Sequence, residues 1–252
     1  EFIERYRFLI REKLRVTRPG RLTAIHVKDL VFYQNSSEAG DAGLRAFSDM
    51  CRQAHEDEGW TFHCRITIRR CPVLERAKTN AHGLLWKTFQ ADASFCRVGM
   101  PEYLMVFRKW AKPGEEHLVR PVVHPRDEVP LEVWQQLASP VWNDSGDPNQ
   151  LGDFDLPATD VLNVEMARDP DAEKHLCPMP LNITKRALTL WSNPGDVVLS
   201  PFAGIGSEGV ACIERGRRFV GTELHPTYFR QGAANLRAAR PEMGDLFLGA
   251  AA

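Results

Sequence analysis

One stretch near the end of the chain limits the choice of fold more than any other. Asp196-Val197-Val198-Leu199-Ser200-Pro201-Phe202-Ala203-Gly204-Ile205-Gly206-Ser207-Glu208-Gly209 reads as a short buried strand, a glycine-rich turn and the start of a helix. The helix should run to Arg215, and a second strand, Arg218 to Gly221, leads to Glu223. Glycines in such a turn let a ligand approach the backbone, and the helix start offers N–H groups. An acidic side chain one strand away can then accept two ribose hydroxyls. A nucleoside-bearing cofactor suits this pattern; a tight strand-to-helix turn with no ligand is the plainer reading of the same residues.

Two cofactor classes compete for a turn of this kind. A dinucleotide-binding domain sets its glycines directly after the strand and needs further βα units downstream. Here Pro201-Phe202-Ala203 intervene, and only 43 of the 252 residues follow Gly209. Strands from earlier in the chain must therefore complete the sheet, a permuted arrangement that fits NAD or FAD enzymes poorly.

The earlier residues supply such strands. Phe2, Tyr6, Leu9, Ile10 and Leu14 recur at helical spacing, the breaker Arg18-Pro19-Gly20 follows, and Leu22 to Val27 is an apolar run. A second helix is predicted over Leu44 to Glu58, then a β-rich strand from Trp60 to Ile68 and another from Tyr103 to Phe107. From Pro113 to about Asp171 Pro, Asp and Gly become frequent, with one short helical signal at Leu131 to Leu137. Ile183 to Trp191 reads as a helix stopped at Asn193-Pro194-Gly195, and Pro226 suits the first turn of a last helix through Leu236. Strands alternating with helices at this rhythm predict an α/β fold with a mostly parallel sheet and helices on both faces.

Composition sets outer bounds. With 43% hydrophobic and 26% charged residues the chain can bury a core, and no run of about 18 apolar residues suggests a membrane span. The chain opens at Glu1 inside a helical pattern, with no charged-then-apolar leader, which points to a cytoplasmic protein that has lost something upstream. Cys51, Cys64, Cys71, Cys96, Cys177 and Cys212 form no C-x-x-C pair and read as reduced, mostly buried thiols. His175 with Cys177 lacks partners at metal-ligand spacing, so no metal is expected. The net charge of -1 conceals an asymmetry: Arg65 to Lys112 holds ten Lys/Arg against three Asp/Glu, and Pro113 to Glu173 three against fourteen. The basic half either faces phosphates or is a solvated face.

The runs SPFAGIGSEG, KHLCPMPLNITKRAL and GRRFVGTELHPTYF resemble the cofactor-binding region of the DNA amino-methyltransferases that modify adenine or cytosine, the phage and prophage enzymes in particular. RVTRPGRLTAIHVKDL resembles the helix and strand after that family's catalytic loop, and GMPEYLMVFRKW its later hairpin strand. The resemblance implies a Rossmann-like methyltransferase fold in permuted order. Residues 1–110 would form the catalytic half, 111–172 an inserted segment for target recognition, and 173–252 the half that binds S-adenosylmethionine.

Carried over, the pattern puts Phe202, Gly204 and Gly206 around the methionine and adenosine portions and Glu223 on the ribose hydroxyls, with His175, Pro178 and Pro180 closing over the cofactor. Ser200 stands where the family usually has Asp before Pro-Phe, which puts a carboxylate contact to the methionine ammonium in doubt at that position. The family's catalytic Asp/Asn/Ser-Pro-Pro-aromatic tetrapeptide does not occur in these residues and is expected upstream of Glu1. The implied activity is methyl transfer to an exocyclic amino group of adenine or cytosine in double-stranded DNA, with a cognate restriction enzyme as a candidate partner. A catalytically incomplete cofactor-binding or DNA-recognition module is the rival, and an RNA or protein methyltransferase on the same fold is a second.

Smaller signals stay open. Asp29 either lines the cleft at the carboxyl edge of the sheet or is a solvated loop residue. Trp86, Phe89 and Phe95, interleaved with Lys78, Lys87 and Arg97, either form a base-stacking, phosphate-binding surface or tether a loop to the core; Trp134 and Trp142 admit the same two readings.

Overall fold

Short apolar runs alternate with amphipathic stretches, and the result is two units, each with its own strands and helices. One comprises Glu1–Pro121 with Ser139–Asn149, the other Val122–Ala138 with Gln150–Ala252. The computed structural model describes residues 1–70, 72, 76, 85–124, 129–144, 155–156, 160–163 and 179–241.

The first unit opens with helix α1, Phe2–Val16, and strand β1, Leu22–Lys28. A small hairpin follows, β2 Leu30–Phe32 and β3 Gly43–Arg45, then helix α2, Phe47–Asp57, and strand β4, Thr61–Ile68. Helix α3, Trp86–Ala91, lies in the connection to β5, Glu102–Arg108, and β6, Val141–Asp144, completes the unit. The sheet runs β1-β5-β4-β6. β5 is antiparallel to both β1 and β4, whereas β6 is parallel to β4. Strands β1, β4 and β6 therefore share one direction and β5 alone is reversed. The reversal follows from connectivity: Ile68, where β4 ends, pairs with Glu102, where β5 begins, so the intervening segment leaves and re-enters the sheet at one edge.

Helices α1 and α2 lie against the face of this sheet that carries Met105 and Phe107. Ile10, Cys51, Ala54 and Trp60 pack with those two residues, and Ile3, Tyr6 and Leu14 flank them, which is the stripe expected from helical spacing. Leu104 and Val106, which alternation points to the opposite face, are also buried, so β5 is covered on both sides and reads as a continuous apolar run. The Lys109 ammonium donates to the carbonyls of Leu14 and Thr17 at 2.7 and 2.6 Å and closes the C-terminus of α1.

The second predicted helix begins later than its apolar spacing suggests. Leu44 pairs with Val31 in the hairpin, and α2 starts only where the Asp29 carboxylate accepts the Ser48 N–H at 2.9 Å. Asp29, partly exposed just past the carboxyl end of β1, caps a helix from a distance.

The second unit contains α4, Leu131–Leu137, β7, Asp155–Leu156, and α5, Leu181–Trp191. Then follow β8, Val197–Ser200, α6, Ser207–Glu214, β9, Arg218–Gly221, and α7, Pro226–Ala238, with Pro226 at its first position. β8 and β9 are parallel, in register from Val197↔Arg218 to Ser200↔Gly221. Leu181, Leu188, Val210, Ala211 and Cys212 form the core with Val198, Phe219 and Leu236. The buried Arg217 guanidinium donates to the Ser192 carbonyl at 2.6 Å and to the Ser192 hydroxyl at 3.0 Å, matching a cation to the C-terminus of α5. Cys51, Cys64, Cys96 and Cys212 are free thiols, while Cys71 and Cys177 lie outside the described residues. Among the described residues no helix is long and apolar enough to cross a membrane.

Candidate functional site

The turn between β8 and α6 is built from both sides. Gly204 (φ +51°) and Gly206 (φ +87°) take left-handed conformations that side-chain-bearing residues avoid, and Gly206 is the N-cap of α6. The first-turn amides of α6 have no acceptor within the helix, as at every helix start. A Cβ at Gly204 would meet no atom within 4 Å, so its outer side is open space.

Beneath the turn lies α7. A Cβ at Gly232 would come within 3.1 Å of the Gly204 carbonyl oxygen, and the Asn235 amide donates to the Ile205 carbonyl at 2.8 Å. Glycine in mid-helix costs about 0.5–1 kcal/mol relative to alanine, and here it lets α7 reach the backbone of the turn.

Glu223 sits just past β9 and reaches back. Its Oε2 accepts the Gly204 N–H at 2.8 Å, and its Oε1 accepts the His225 N–H at 2.8 Å. Those bonds occupy about two of the roughly four lone-pair directions of a carboxylate, so the others can still accept hydroxyls. Phe202 is 68% exposed at the tip of a turn whose Ile205 is 2% exposed. The turn thus sets a large exposed apolar ring near a pinned carboxylate and an open stretch of backbone.

The sequence-predicted residues fall unevenly within this picture. Ser200 ends β8, Phe202, Gly204 and Gly206 lie in the turn, Glu223 follows β9 and reaches back to the turn, and Pro180 is the N-cap of α5. His175 and Pro178 lie outside the described residues. Ser200 is buried, and its hydroxyl donates to Glu208 Oε1 at 3.3 Å. Glu208 was missed in the sequence. Burial raises its carboxyl above the usual carboxylate range, against the Ser200 bond and its own amide, which lower it. It brings a carboxylate next to the position where Ser200 lacks one. Gly232 and Asn235 were missed as well; the only local signal was a glycine inside a helical pattern.

The first unit has its own polar groups. At the edge where β1 and β4 end, His26 Nε2 lies 2.8 Å from Glu102 Oε2, and Arg70 donates to the same oxygen at 2.5 Å. Burial would raise the Glu102 carboxyl, but the His26 and Arg70 contacts outweigh it and hold it down to about 2. Deeper in, Lys13 Nζ lies 3.1 Å from His55 Nε2, and His55 Nδ1 is 2.8 Å from the Cys51 carbonyl. A carbonyl only accepts, so Nδ1 carries the proton and Nε2 accepts from Lys13. Burial pushes the Lys13 ammonium down to about 8, and burial with the nearby Lys13 charge pushes His55 down to about 4.

The aromatic residues separate clearly. Trp142 is 1% exposed, a core residue. Trp86 and Phe89 are 71% and 52% exposed and stack on each other at 5.2 Å; Phe95 and Trp134 are also exposed. The tethering reading therefore fails for Trp86 and Phe89. Lys78 lies outside the described residues.

Comparisons with known proteins agree with this architecture. A family model described as DNA methylase, of the N6 and N4 type, matches residues 1–234. The DNA adenine methyltransferase YhdJ of Escherichia coli K12 is 40% identical over 67 residues, 27% of this chain and 23% of that protein. The Type II methyltransferase M.Cfr9I of Citrobacter freundii is 39% identical over 59 residues, 23% of this chain and 20% of that protein. The chain thus matches about a quarter or less of the length of these two relatives. Among solved structures, a Thermus thermophilus protein described as a putative DNA modification methylase, complexed with S-adenosyl-L-methionine, superposes with a TM-score of 0.66 at 20% identity, over 96% of this chain and 79% of that one. The cytosine-N4-specific PvuII DNA methyltransferase gives 0.59 at 10% identity, over 93% and 70%. These two likenesses show the fold, that of the methyltransferases.

Proposed function

The chain belongs to the DNA methylase family of the N6 and N4 type, and on that premise we propose that its β8–α6 turn binds S-adenosylmethionine for methyl transfer to DNA. The acceptor is the exocyclic amino group of adenine or cytosine in double-stranded DNA. The observation that carries the reading is the Glu223 carboxylate held 2.8 Å from the Gly204 amide at the mouth of the turn. That the Thermus thermophilus protein of the same fold was crystallised with this compound supports it.

When bound, the cofactor supplies an electrophilic methyl group on a sulfonium. The chain's residues do the positioning. Glu223 accepts the two ribose hydroxyls with the lone pairs its backbone bonds leave free. Gly204 and Gly206 let the cofactor approach the main chain, and Phe202 gives up its exposed surface to the adenosyl group. His175, Pro178 and Pro180 close over it from the segment that leads into α5. Holding both reactants in line in a site closed to water supplies much of the rate. Residues 111–172 serve target recognition. A DNA substrate would have the protein act in the cytoplasm, and the Type II methyltransferase among its relatives makes a cognate restriction enzyme a partner to look for.

Isothermal titration with S-adenosylmethionine tests the reading directly. Saturable binding that S-adenosylhomocysteine competes away is expected, and absence of binding by the folded protein would sink it.

A further inference from the structure

The segment joining β4 to β5 stands out for what it leaves in water. It begins and ends at the carboxyl edge of the first sheet, because Ile68 pairs with Glu102. That edge is where open α/β sheets bind their ligands. Within that segment α3 displays the stacked pair Trp86 and Phe89, and Phe95 and Val98 are exposed a few residues on. Unlike a singly exposed ring, two rings that stack on one another form a contiguous apolar patch, and such patches mark interaction sites.

The partner's chemistry can be read from the neighbours. Lys87 lies between the two rings in sequence and is exposed, Arg97 follows, and Arg65 to Lys112 carries ten Lys/Arg against three Asp/Glu. Exposed rings interleaved with cations are the combination that holds a nucleic-acid strand with unstacked bases. The π faces take bases of any sequence, and the cations take phosphates. A folded protein partner would call for a wider apolar face than these two rings offer.

We infer that Trp86 and Phe89 form a stacking platform for an unpaired base of DNA, with Lys87 and Arg97 holding the adjoining phosphates. This rests on the DNA reading given above and assigns it a surface. The base is one that has left the duplex, either the extruded base itself or a neighbour that loses its stacking partner when extrusion occurs.

Fluorescence anisotropy with a labelled single-stranded oligonucleotide and the matching duplex tests it on the whole chain. Replacing both rings, Trp86→Ala with Phe89→Ala, should weaken single-strand binding by about tenfold or more and affect the paired duplex far less. Trp86→Tyr, which keeps a ring, should retain most of the affinity. Lys87→Gln with Arg97→Gln should flatten the dependence of log K on log salt by about one to two. Single-strand affinity unchanged in the double aromatic variant would overturn the inference, and so would an equal loss on both DNAs. S-adenosylmethionine titrations on the same samples keep the two readings apart: wild-type protein that fails to bind the cofactor refutes the proposed function, whereas normal cofactor binding with indifferent ring variants refutes only the platform.

Discussion

Glu223 spends one bond from each carboxylate oxygen on backbone amides, and this makes it more than a ligand group. The bonds to Gly204 and His225 fix both the shape of the turn and the direction of the remaining lone pairs. Glu223→Ala should weaken S-adenosylmethionine binding by roughly 100-fold or more, the scale of two hydrogen bonds to a charged group at about 1.5–3 kcal/mol each. Glu223→Gln should lie between, since the amide can keep one acceptor and loses the charge; titration calorimetry on the three proteins checks the order. At Gly206 the φ of +87° strains any side-chain-bearing residue, and a Cβ there would already touch the Gly232 backbone at 3.4 Å, so a longer side chain has little room. Gly206→Leu should abolish cofactor binding, and full affinity in that variant would mean the pocket lies elsewhere. Sequence reasoning singled out Gly206 and Glu223 because both carry short-range signals. It missed Glu208, because what makes Glu208 notable is its burial beside Ser200 eight residues earlier.

The glycine turn depends on α7 as much as on its own glycines. Gly232 and Asn235 lie one helical turn apart and meet the turn's backbone at Gly204 and Ile205. Gly232→Val should drive a methyl into the Gly204 carbonyl, lowering stability by about 1–3 kcal/mol, and should weaken cofactor binding although residue 232 touches no cofactor atom. Urea unfolding and titration on the same samples measure both effects; normal affinity would show that α7 does not shape the turn. Element ends show the same dependence on remote groups. Helix α5 starts at Leu181, two residues before its apolar pattern suggests, because the Asp160 carbonyl and carboxylate accept the Leu181 and Asn182 amides at 2.9 Å. Such caps come from far along the chain, so no local window reads them, whereas β9 and the Pro226 start of α7 rest on nearest-neighbour chemistry and were predicted residue for residue.

At the scale of the whole molecule, the acid-sensitive groups among the described residues collect in the first unit. His55 binds a proton less readily folded, at about 4, than unfolded, near 6.5, so the unfolded state takes up more protons between those values. Stability should therefore fall as pH drops from 6.5 to 4, by on the order of 3 kcal/mol. Glu102, held at about 2, extends the loss as pH falls below the ordinary carboxylate range. Glu208 in the second unit has the opposite sign, because a raised carboxyl favours the folded state as it protonates. Acid unfolding should begin in the first unit, with peptic cleavage at pH 4 starting among residues 1–121. His55→Phe, which removes the titrating group, should lower stability at pH 7 by leaving Lys13 without its acceptor and yet flatten the midpoint-against-pH curve between 6.5 and 4. An unflattened curve would place the acid sensitivity elsewhere.

The sequence by itself determined the α/β class, the order of the main strands and helices, and the placing of a glycine-rich strand-to-helix turn between Leu199 and Gly209. Each of these rests on periodicity, glycine and proline chemistry, or residues within one or two elements of each other. Only the tertiary structure decided that β5 runs backwards between β1 and β4, that Asp29 caps α2, that Glu208 stands beside Ser200, and that Trp86 and Phe89 face water while Trp142 is buried. These depend on which distant segments meet. A tryptophan's burial is set by what packs on it, and a carboxylate's role by the amide or hydroxyl that long-range folding brings within about 3 Å, neither of which a local pattern of residues contains.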